Sequence, residues 1–222
     1  MVKNKKTQTT RLSKYEHVNS SVYGLVPDNF SVLDVGCWSG SLGVKLIREK
    51  KCEVDGIDNC DRALQLAQKR GYRRVFRVDL NQIKDPGIGE NQYDVIVFAD
   101  VLEHLLFPKE VLFYYLKHLK KNGFIVVSLP NIGFILYRLK LLLGFFDYKE
   151  IGVMDKTHVK FYTLKTMREL FKEVDLKIIK TTRHNEVASR FFFFHILKYI
   201  WPTLFTLQFV FLLQRTQPER SK

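Results

Sequence analysis

Short apolar segments alternate with segments of helical periodicity along the first 131 residues, and this alternation constrains the fold more than any other feature of the sequence. Five segments have the character of buried strands, at 31–36, 52–58, 74–80, 93–100 and 123–131. Between them lie helix-like segments at 41–50, 61–71 and 109–123. Strands that alternate with helices predict a Rossmann-like, doubly wound α/β fold, with a mostly parallel sheet covered on both faces.

The pattern changes after Asn131. Residues 132–143 carry leucines and isoleucines at helical spacing, which predicts a helix inserted after the fifth strand. That position is the carboxyl edge of the sheet, where open α/β folds bind ligands, so we expect residues 132–160 to form a substrate lid. A further helix, a strand at 176–182 and an apolar internal strand at about 204–214 complete one domain over residues 1–222.

The chain carries a formal net charge of +13, which favours a polyanionic partner such as nucleic acid, a phosphorylated substrate or an anionic membrane surface. Residues 1–14 are predicted to be a flexible basic arm. Within the segment 189–214, the run 191–213 is long enough to span a bilayer. Because polar residues and Pro202 interrupt it, we expect instead an apolar helix, a break and the last strand. Three cysteines without metal-ligand spacing and no apparent signal peptide predict a cytoplasmic protein, with peripheral membrane contact left open.

The stretch VLDVGCWSG, residues 32–40, follows the first strand and resembles a nucleotide-binding glycine turn. A dinucleotide turn would have glycine at its first position, where this chain has Asp34. A carboxylate there would repel pyrophosphate, but it suits a ligand with a cationic amino-acid end, as in S-adenosylmethionine. Gly36 and Gly40 would then let the methionine part approach the backbone.

Acidic residues follow at the ends of the next strands. Asp58 comes about 20 residues after the turn, where an acid accepts hydrogen bonds from ribose hydroxyls. Asp79 and Leu80 are suited to an adenine amine and ring face, and Asp100, at the end of the fourth strand, is a further cofactor-binding candidate. Because these residues come in order at one edge of the sheet, they predict a site for S-adenosylmethionine.

The stretches VLDVGCWSG, GIDNC, VDL, YDVIVFADVLEHL and LKKNGFIVVSLPN together resemble the class I S-adenosylmethionine-dependent methyltransferases over about residues 28 to 182. The resemblance implies a seven-stranded sheet whose last strand is antiparallel. Trp38 departs from the family pattern, which has glycine at this position. Residues 128–171 are similar to methyltransferases of polysaccharide and glycan gene clusters, and also to MetW-like accessory proteins.

Asp100, Glu103 and His104 follow the fourth strand, and His158 follows the predicted lid. Either histidine could act as the general base that removes the acceptor proton. Alternatively, all four side chains could bind a divalent metal, Mg²⁺ or Mn²⁺, which polarises the acceptor hydroxyl. Asp100 and Glu103 also have the spacing of a capping box, a purely structural role.

Three functions remain open at this point. The first is O-methylation of a small-molecule sugar or a lipid-linked glycan precursor, to which the resemblance points. The second is metal-dependent 2′-O-methylation of RNA, because the D-x-x-E-H spacing resembles the metal site of small-RNA methyltransferases; the sequence offers no aromatic stacking platform for a nucleic acid. The third is a non-catalytic accessory role of the MetW kind.

Overall fold

The computed structural model describes residues 16, 18–90, 92–184, 197 and 199–216. The described chain forms a seven-stranded sheet in the order β3-β2-β1-β4-β5-β7-β6. The strands are β1 (Ser31–Val35), β2 (Glu53–Asp58), β3 (Arg74–Arg77), β4 (Tyr93–Ala99), β5 (Leu119–Pro130), β6 (Leu176–His184) and β7 (Gln208–Arg215). The predicted basic arm and residues 189–196 of the predicted apolar helix lie outside the described residues.

The predicted fold class is confirmed. Strands β1 to β5 pair in parallel, whereas β7 runs antiparallel to both of its neighbours. Strand β7 lies between β5 and β6, and Phe209, Phe211 and Leu213 are fully buried. These three residues belong to one apolar core and the fully buried Val210 to the other, so β7 is covered on both faces, as the sequence pattern indicates.

Helices cover both faces of the sheet. One apolar core includes residues of α1 (Ser20–Leu25), α2 (Ser41–Lys50) and α3 (Asp61–Lys69). The other includes residues of α4 (Pro108–Leu116) and α6 (Leu164–Glu173). Helix α5 (Ile135–Leu142) and the one-turn α7 (Pro202–Phe205) lie between strands near the carboxyl edge of β5.

Three predicted boundaries are wrong. Helix α4 ends at Leu116, and Gly123 lies inside β5 because that strand begins at Leu119, where a buried leucine and an irregular pairing with Tyr93 extend the ladder. Strand β3 ends at Arg77, and Leu80–Gln82 form a turn of 3₁₀-helix. Strand β7 starts at Gln208 instead of about residue 204, because Pro202 begins the one-turn helix α7.

The segment 132–160, the predicted lid, leaves the sheet at the end of β5 and returns beside it. Ile132 donates its N–H to the carbonyl of Tyr162 at 2.9 Å, and Asn131 forms a parallel bridge with Tyr162. Helix α5 inside the lid has no buried residue. No helix among the described residues is long and apolar enough to cross a membrane.

Candidate active site

The glycine turn after β1 is held in a conformation that requires glycine. Gly36 has a φ of 73° and Gly40 a φ of 85°, both in the left-handed region. A Cβ on Gly36 would lie 2.6 Å from Val101, and one on Gly40 would lie 2.6 Å from the ring of Tyr72. Both glycines are therefore required by backbone conformation and by packing, in addition to any close approach of a ligand.

Tyr72 is a central residue of this turn that the sequence does not reveal. Its ring is almost fully buried, and a Cβ on Gly43 or Gly56 would come within 3 Å of it, as one on Gly40 would. Its hydroxyl accepts the N–H of Gly43 at 3.1 Å and donates to Asp34 at 2.6 Å. Tyr72 comes from the end of the second βα unit, so only the fold brings it under the turn.

Asp34 lies beneath the turn, with 3% of its surface exposed. Burial raises the pKa of its carboxyl to about 6, and the hydrogen bond from Tyr72 acts in the opposite direction. The carboxylate thus acts on the turn through Tyr72 and Gly43. Its predicted contact with the amino end of the cofactor stays a prediction.

Asp58, at the end of β2, holds the other side of the turn. Its two oxygens accept the N–H groups of Trp38 and Cys60, each at 2.9 Å. Burial raises the pKa of the Asp58 carboxyl, although these backbone donors oppose the shift. Trp38 adopts a positive φ of 48°, in the place where the family pattern has glycine. Each carboxylate oxygen retains a lone pair, so Asp58 can also accept from ribose hydroxyls.

The remaining cofactor candidates lie at the same carboxyl edge. Asp79 is exposed and caps the 3₁₀ turn by accepting the N–H of Asn81, while Leu80 is buried in the core. Asp100 is exposed at the end of β4 with a φ of 56°; its carboxylate accepts hydrogen bonds from Ser128 Oγ at 3.0 Å and from Gln208.

The predicted capping box is wrong. The 3₁₀ turn Leu102–His104 has Val101 at its N-cap position, and no side chain caps it. Asp100 lies before this cap, and its left-handed backbone turns the carboxylate towards Ser128 on β5. The side chains of Asp100 and Glu103 therefore have separate partners.

Glu103, His104 and His158 form a compact cluster after β4. One ligand atom from each lies within 4.8 Å of the others, and the two imidazole rings are 4.7 Å apart in an edge-on arrangement. Glu103 Oε1 lies 4.0 Å from His158 Nε2, and Glu103 Oε2 has no hydrogen-bond partner among the described residues. Burial, followed by the charge of Asp100, raises the pKa of Glu103 well above its usual range.

Backbone carbonyls orient both imidazoles. His158 Nδ1 lies 3.0 Å from the carbonyl of Val153, and His104 Nδ1 lies 3.2 Å from that of Thr157. A carbonyl only accepts, so each Nδ1 carries the proton and each Nε2 keeps its lone pair. His158 Nε2 lies 4.0 Å from Glu103 Oε1, and one nitrogen of each ring lies within 4.8 Å of the Glu103 carboxyl. This arrangement suits a general base, and it equally suits a metal ligand set.

The structure brings together three of the four predicted metal ligands. Asp100 lies outside the cluster because its carboxylate is bonded to Ser128 and Gln208. One oxygen and two imidazole nitrogens fit a divalent ion with open coordination positions, and the unpartnered oxygen of buried Glu103 supports that fit. Two imidazoles favour Mn²⁺ over Mg²⁺, which prefers oxygen ligands.

The cofactor candidates also fit their expected ligand. The turn, Asp58, Asp79 and Asp100 all lie at the carboxyl ends of adjacent strands, and β1 is the strand between β2 and β4. Open α/β sheets bind ligands at this edge. Asp79 and Asp100 are exposed residues at this edge, and partial burial of the Asp100 carboxyl raises its pKa.

Comparison with known proteins agrees with this geometry. Residues 6–181 match a protein family described as a methyltransferase domain. The mitochondrial ubiquinone biosynthesis O-methyltransferase of Candida albicans is 27% identical over 179 residues, which cover 78% of this chain and 52% of that protein. The chain spans about half the length of the first curated relatives that it matches.

Solved structures share the fold at low sequence identity. An S-adenosylmethionine-dependent methyltransferase from Mesorhizobium loti superimposes with a TM-score of 0.63 at 14% identity, covering 88% of this chain and 96% of that one. The 1,6-didemethyltoxoflavin-N1-methyltransferase of Burkholderia thailandensis, solved with S-adenosylhomocysteine, gives a TM-score of 0.60 at 14% identity over 89% of this chain and 76% of that one. The family match covers most of the chain, and its methyl donor suits the residues at the carboxyl edge, so the chain belongs to the class I S-adenosylmethionine-dependent methyltransferases.

Proposed function

We propose that this chain transfers the methyl group of S-adenosylmethionine to a hydroxyl oxygen of a sugar or a lipid-linked glycan precursor. The observation that carries the oxygen acceptor is the pair of imidazole rings beside Glu103, one of which has its Nε2 4.0 Å from Glu103 Oε1. A hydroxyl must lose a proton as it is methylated, so it needs a base at this place. The curated O-methyltransferase relatives give independent support for an oxygen acceptor.

The methyl donor supplies an activated carbon, which becomes bonded to the acceptor oxygen as the sulfonium becomes a thioether. The protein has to align the acceptor and receive its proton. His158 Nε2 is the stronger candidate for the base, because its ring is buried and fixed by the carbonyl of Val153. The positive charge that proton transfer leaves on His158 would favour ionisation of Glu103, 4.0 Å away, whose raised pKa otherwise favours the neutral acid.

His104 has a different environment. Its ring is half-buried, and its Nδ1 lies near both the carbonyl and the hydroxyl of Thr157. We assign it to orient the acceptor hydroxyl. A divalent ion held by Glu103, His104 and His158 would supply Lewis acidity towards the same hydroxyl, which is the chemistry also expected of a metal-dependent RNA methyltransferase.

The lid supports a glycan or lipid-linked acceptor over RNA. Arg138 and Lys140 are exposed on α5, together with exposed Leu139, Leu142 and Leu143. Nucleic-acid sites pair cations with aromatic rings on which bases stack. The exposed cations of α5 lie beside aliphatic side chains, and the ring of Phe146 after the helix packs edge-on against Tyr148 and Phe161. These side chains support a lid that rests on an anionic membrane surface, and we propose the cytoplasmic side for it.

The test is a transfer assay with methyl-labelled S-adenosylmethionine, purified protein and fractionated host extract, with and without a chelator. Label in the glycan or lipid fraction is expected. Loss of this label with chelator would show that transfer needs a divalent ion and would support the metal site. Label in RNA would overturn the acceptor class. Binding of S-adenosylmethionine without label in any fraction would replace the proposal with an accessory role of the MetW kind.

A further inference from the structure

A mostly apolar cavity of about 210 Å³ lies at the base of the lid. Its apolar lining comes from helix α5 and from both sides of it: Ile132, Tyr137, Leu141, Phe145, Phe146 and Met154. Pockets that enclose a complete drug-sized ligand begin at roughly 300 Å³. The cavity is therefore large enough for one apolar segment of a ligand, with the rest of that ligand outside.

Charged side chains also line this cavity. Arg138, Lys140 and Lys149 contribute three cations, against the single carboxylate of Asp147. The Nε atom of Arg138 is bonded to the carbonyl of Gly133 at 2.7 Å, which leaves its terminal amino groups for a ligand. Lys140 and Lys149 have no ion pair within the described ranges of the chain. An apolar cavity with an excess of cations suits an amphiphile with an anionic head.

The cavity is connected to the histidine pair by aromatic contacts. The ring of Phe146, which lines the cavity, lies 5.8 Å from the ring of Phe161, and Phe161 lies 6.3 Å from the ring of His158. On the other side, Met154 lines the cavity and directly follows Val153, whose carbonyl accepts from His158. The ring of Phe161 therefore lies between the cavity wall and the proposed base.

We propose that this cavity binds the proximal segment of the apolar chain of a lipid phosphate, and that the three cations hold its phosphate. The inference rests on the proposed function, since it makes the methyl acceptor a glycan carried on a lipid phosphate. The cavity positions that acceptor, and the exposed leucines beside it, Leu142 and Leu143, continue the apolar surface for the remainder of the chain.

The experiment is isothermal titration calorimetry of the full chain with farnesyl phosphate, at concentrations below micelle formation, and with farnesol as the uncharged counterpart. Farnesyl phosphate is expected to bind about tenfold or more tightly than farnesol, because each carries the same apolar chain and only one carries a phosphate. Equal affinity for the two probes would overturn the role of the cations.

Two variants locate the site, and each has a matched control. Phe146→Asp places a charge at the cavity wall, and the double variant Lys140→Glu, Lys149→Glu reverses the charge of the lining. Each is expected to weaken farnesyl phosphate binding about tenfold or more. The controls are Ile151→Asp, at an exposed lid residue outside the cavity lining, and Lys121→Glu, at an exposed residue near the start of β5. Both controls are expected to bind like the unmodified protein.

Two further measurements separate the possible failures. Vesicles of phosphatidylglycerol that bind the protein through Leu142, without binding of farnesyl phosphate, would make the lid a bilayer contact and would overturn the cavity site. Binding of S-adenosylmethionine is measured on the same samples. If the protein binds farnesyl phosphate but not S-adenosylmethionine, the proposed function fails and the lipid site stands. If it binds S-adenosylmethionine but not farnesyl phosphate, only the lipid site is removed.

Discussion

The two halves of the proposed site are built differently. Around the glycine turn, Asp34, Gly43 and Tyr72 are buried and joined by hydrogen bonds between 2.6 and 3.1 Å. In the lid, helix α5 has no buried residue, and Leu142 is 81% exposed. The side chains around the glycine turn are thus bonded to one another inside the protein, whereas the lid exposes apolar side chains that could contact an acceptor or a membrane. This difference suits an enzyme family with one methyl donor and many acceptors.

The largest expected effect is a loss of catalytic rate on replacing His158, which lies in the lid close to the end of β4. His158→Gln is expected to lower kcat by roughly 10² to 10⁴ fold, because the acceptor proton loses its base. The affinity for S-adenosylmethionine should stay the same. Steady-state kinetics and calorimetry measure the two quantities.

His118→Gln is the matched control for that variant. His118 is also fully buried, and its Nδ1 lies 2.9 Å from the carbonyl of Gly89, but it belongs to the apolar core near α4. Any cost of replacing a buried histidine should appear in its thermal stability and leave kcat unchanged. An equal fall in kcat for both variants would remove the catalytic role of His158.

Replacing two glycines of the same backbone conformation, one in each half, compares how tightly the two halves are packed. Gly40→Ala is expected to cost about 3 kcal/mol or more of unfolding free energy, because left-handed strain adds to a contact of 2.6 Å with Tyr72. Gly144→Ala in the lid has the same strain, with a φ of 84°, but nothing within 4 Å of the new Cβ, so about 1 kcal/mol is expected. Urea unfolding of both variants separates packing from strain, and equal losses would contradict the rigid turn.

The cofactor half should also respond to pH. Burial raises the pKa of Asp34 to about 6, above its unfolded value of about 3.9. A buried acid with a raised pKa contributes stability that is present below the unfolded value and is lost as the pH rises through 6. Asp34→Asn should therefore gain up to about 3 kcal/mol of unfolding free energy relative to the unmodified protein between pH 4 and 7.

Denaturant titrations across that pH range test the change at Asp34, with Asp147→Asn in the exposed lid as the control. The amide oxygen that Asp34→Asn introduces can still accept from Tyr72, so the packing should persist. A parallel pH dependence in the Asp34→Asn variant and the unmodified protein would show that Asp34 is not the group responsible.

The smallest effect is expected in the lid. Leu142→Ala should change the unfolding free energy by no more than about 0.5 kcal/mol, since the side chain is exposed. Leu46→Ala in α2 removes the same atoms from a fully buried site and should cost about 2–5 kcal/mol. Thermal unfolding of the pair gives the comparison, and a large loss for Leu142→Ala would mean that the lid packs against the body.

Periodicity and strand-end residues predict most of the fold, because a strand that is buried on both faces is a continuous run of apolar residues in the sequence. The parallel strands and the apolar internal strand β7 follow from that record. The start of β5 at Leu119 does not, because a pairing irregularity opposite Tyr93 continues the ladder through a basic segment with helical spacing. Local pattern cannot show such tertiary pairing.

The site divides in the same way. The residue types and spacing at Glu103, His104 and His158 predict their grouping, and the structure brings these three together. Tyr72 and Gln208 were missed because they reach the site from distant positions along the chain. The capping box failed at Asp100, since a spacing rule assumes helical backbone and the φ there is 56°.

The place of β7 in the sheet has a consequence for synthesis on the ribosome. Strand β6 is made before β7, yet β7 separates it from β5. Until residues 208–215 emerge, β5 and β6 have to stay about one strand width apart, each with an unpaired edge. A strand made after β6 therefore completes the middle of the sheet, and the edges of β5 and β6 are open to pairing with other chains until it is in place.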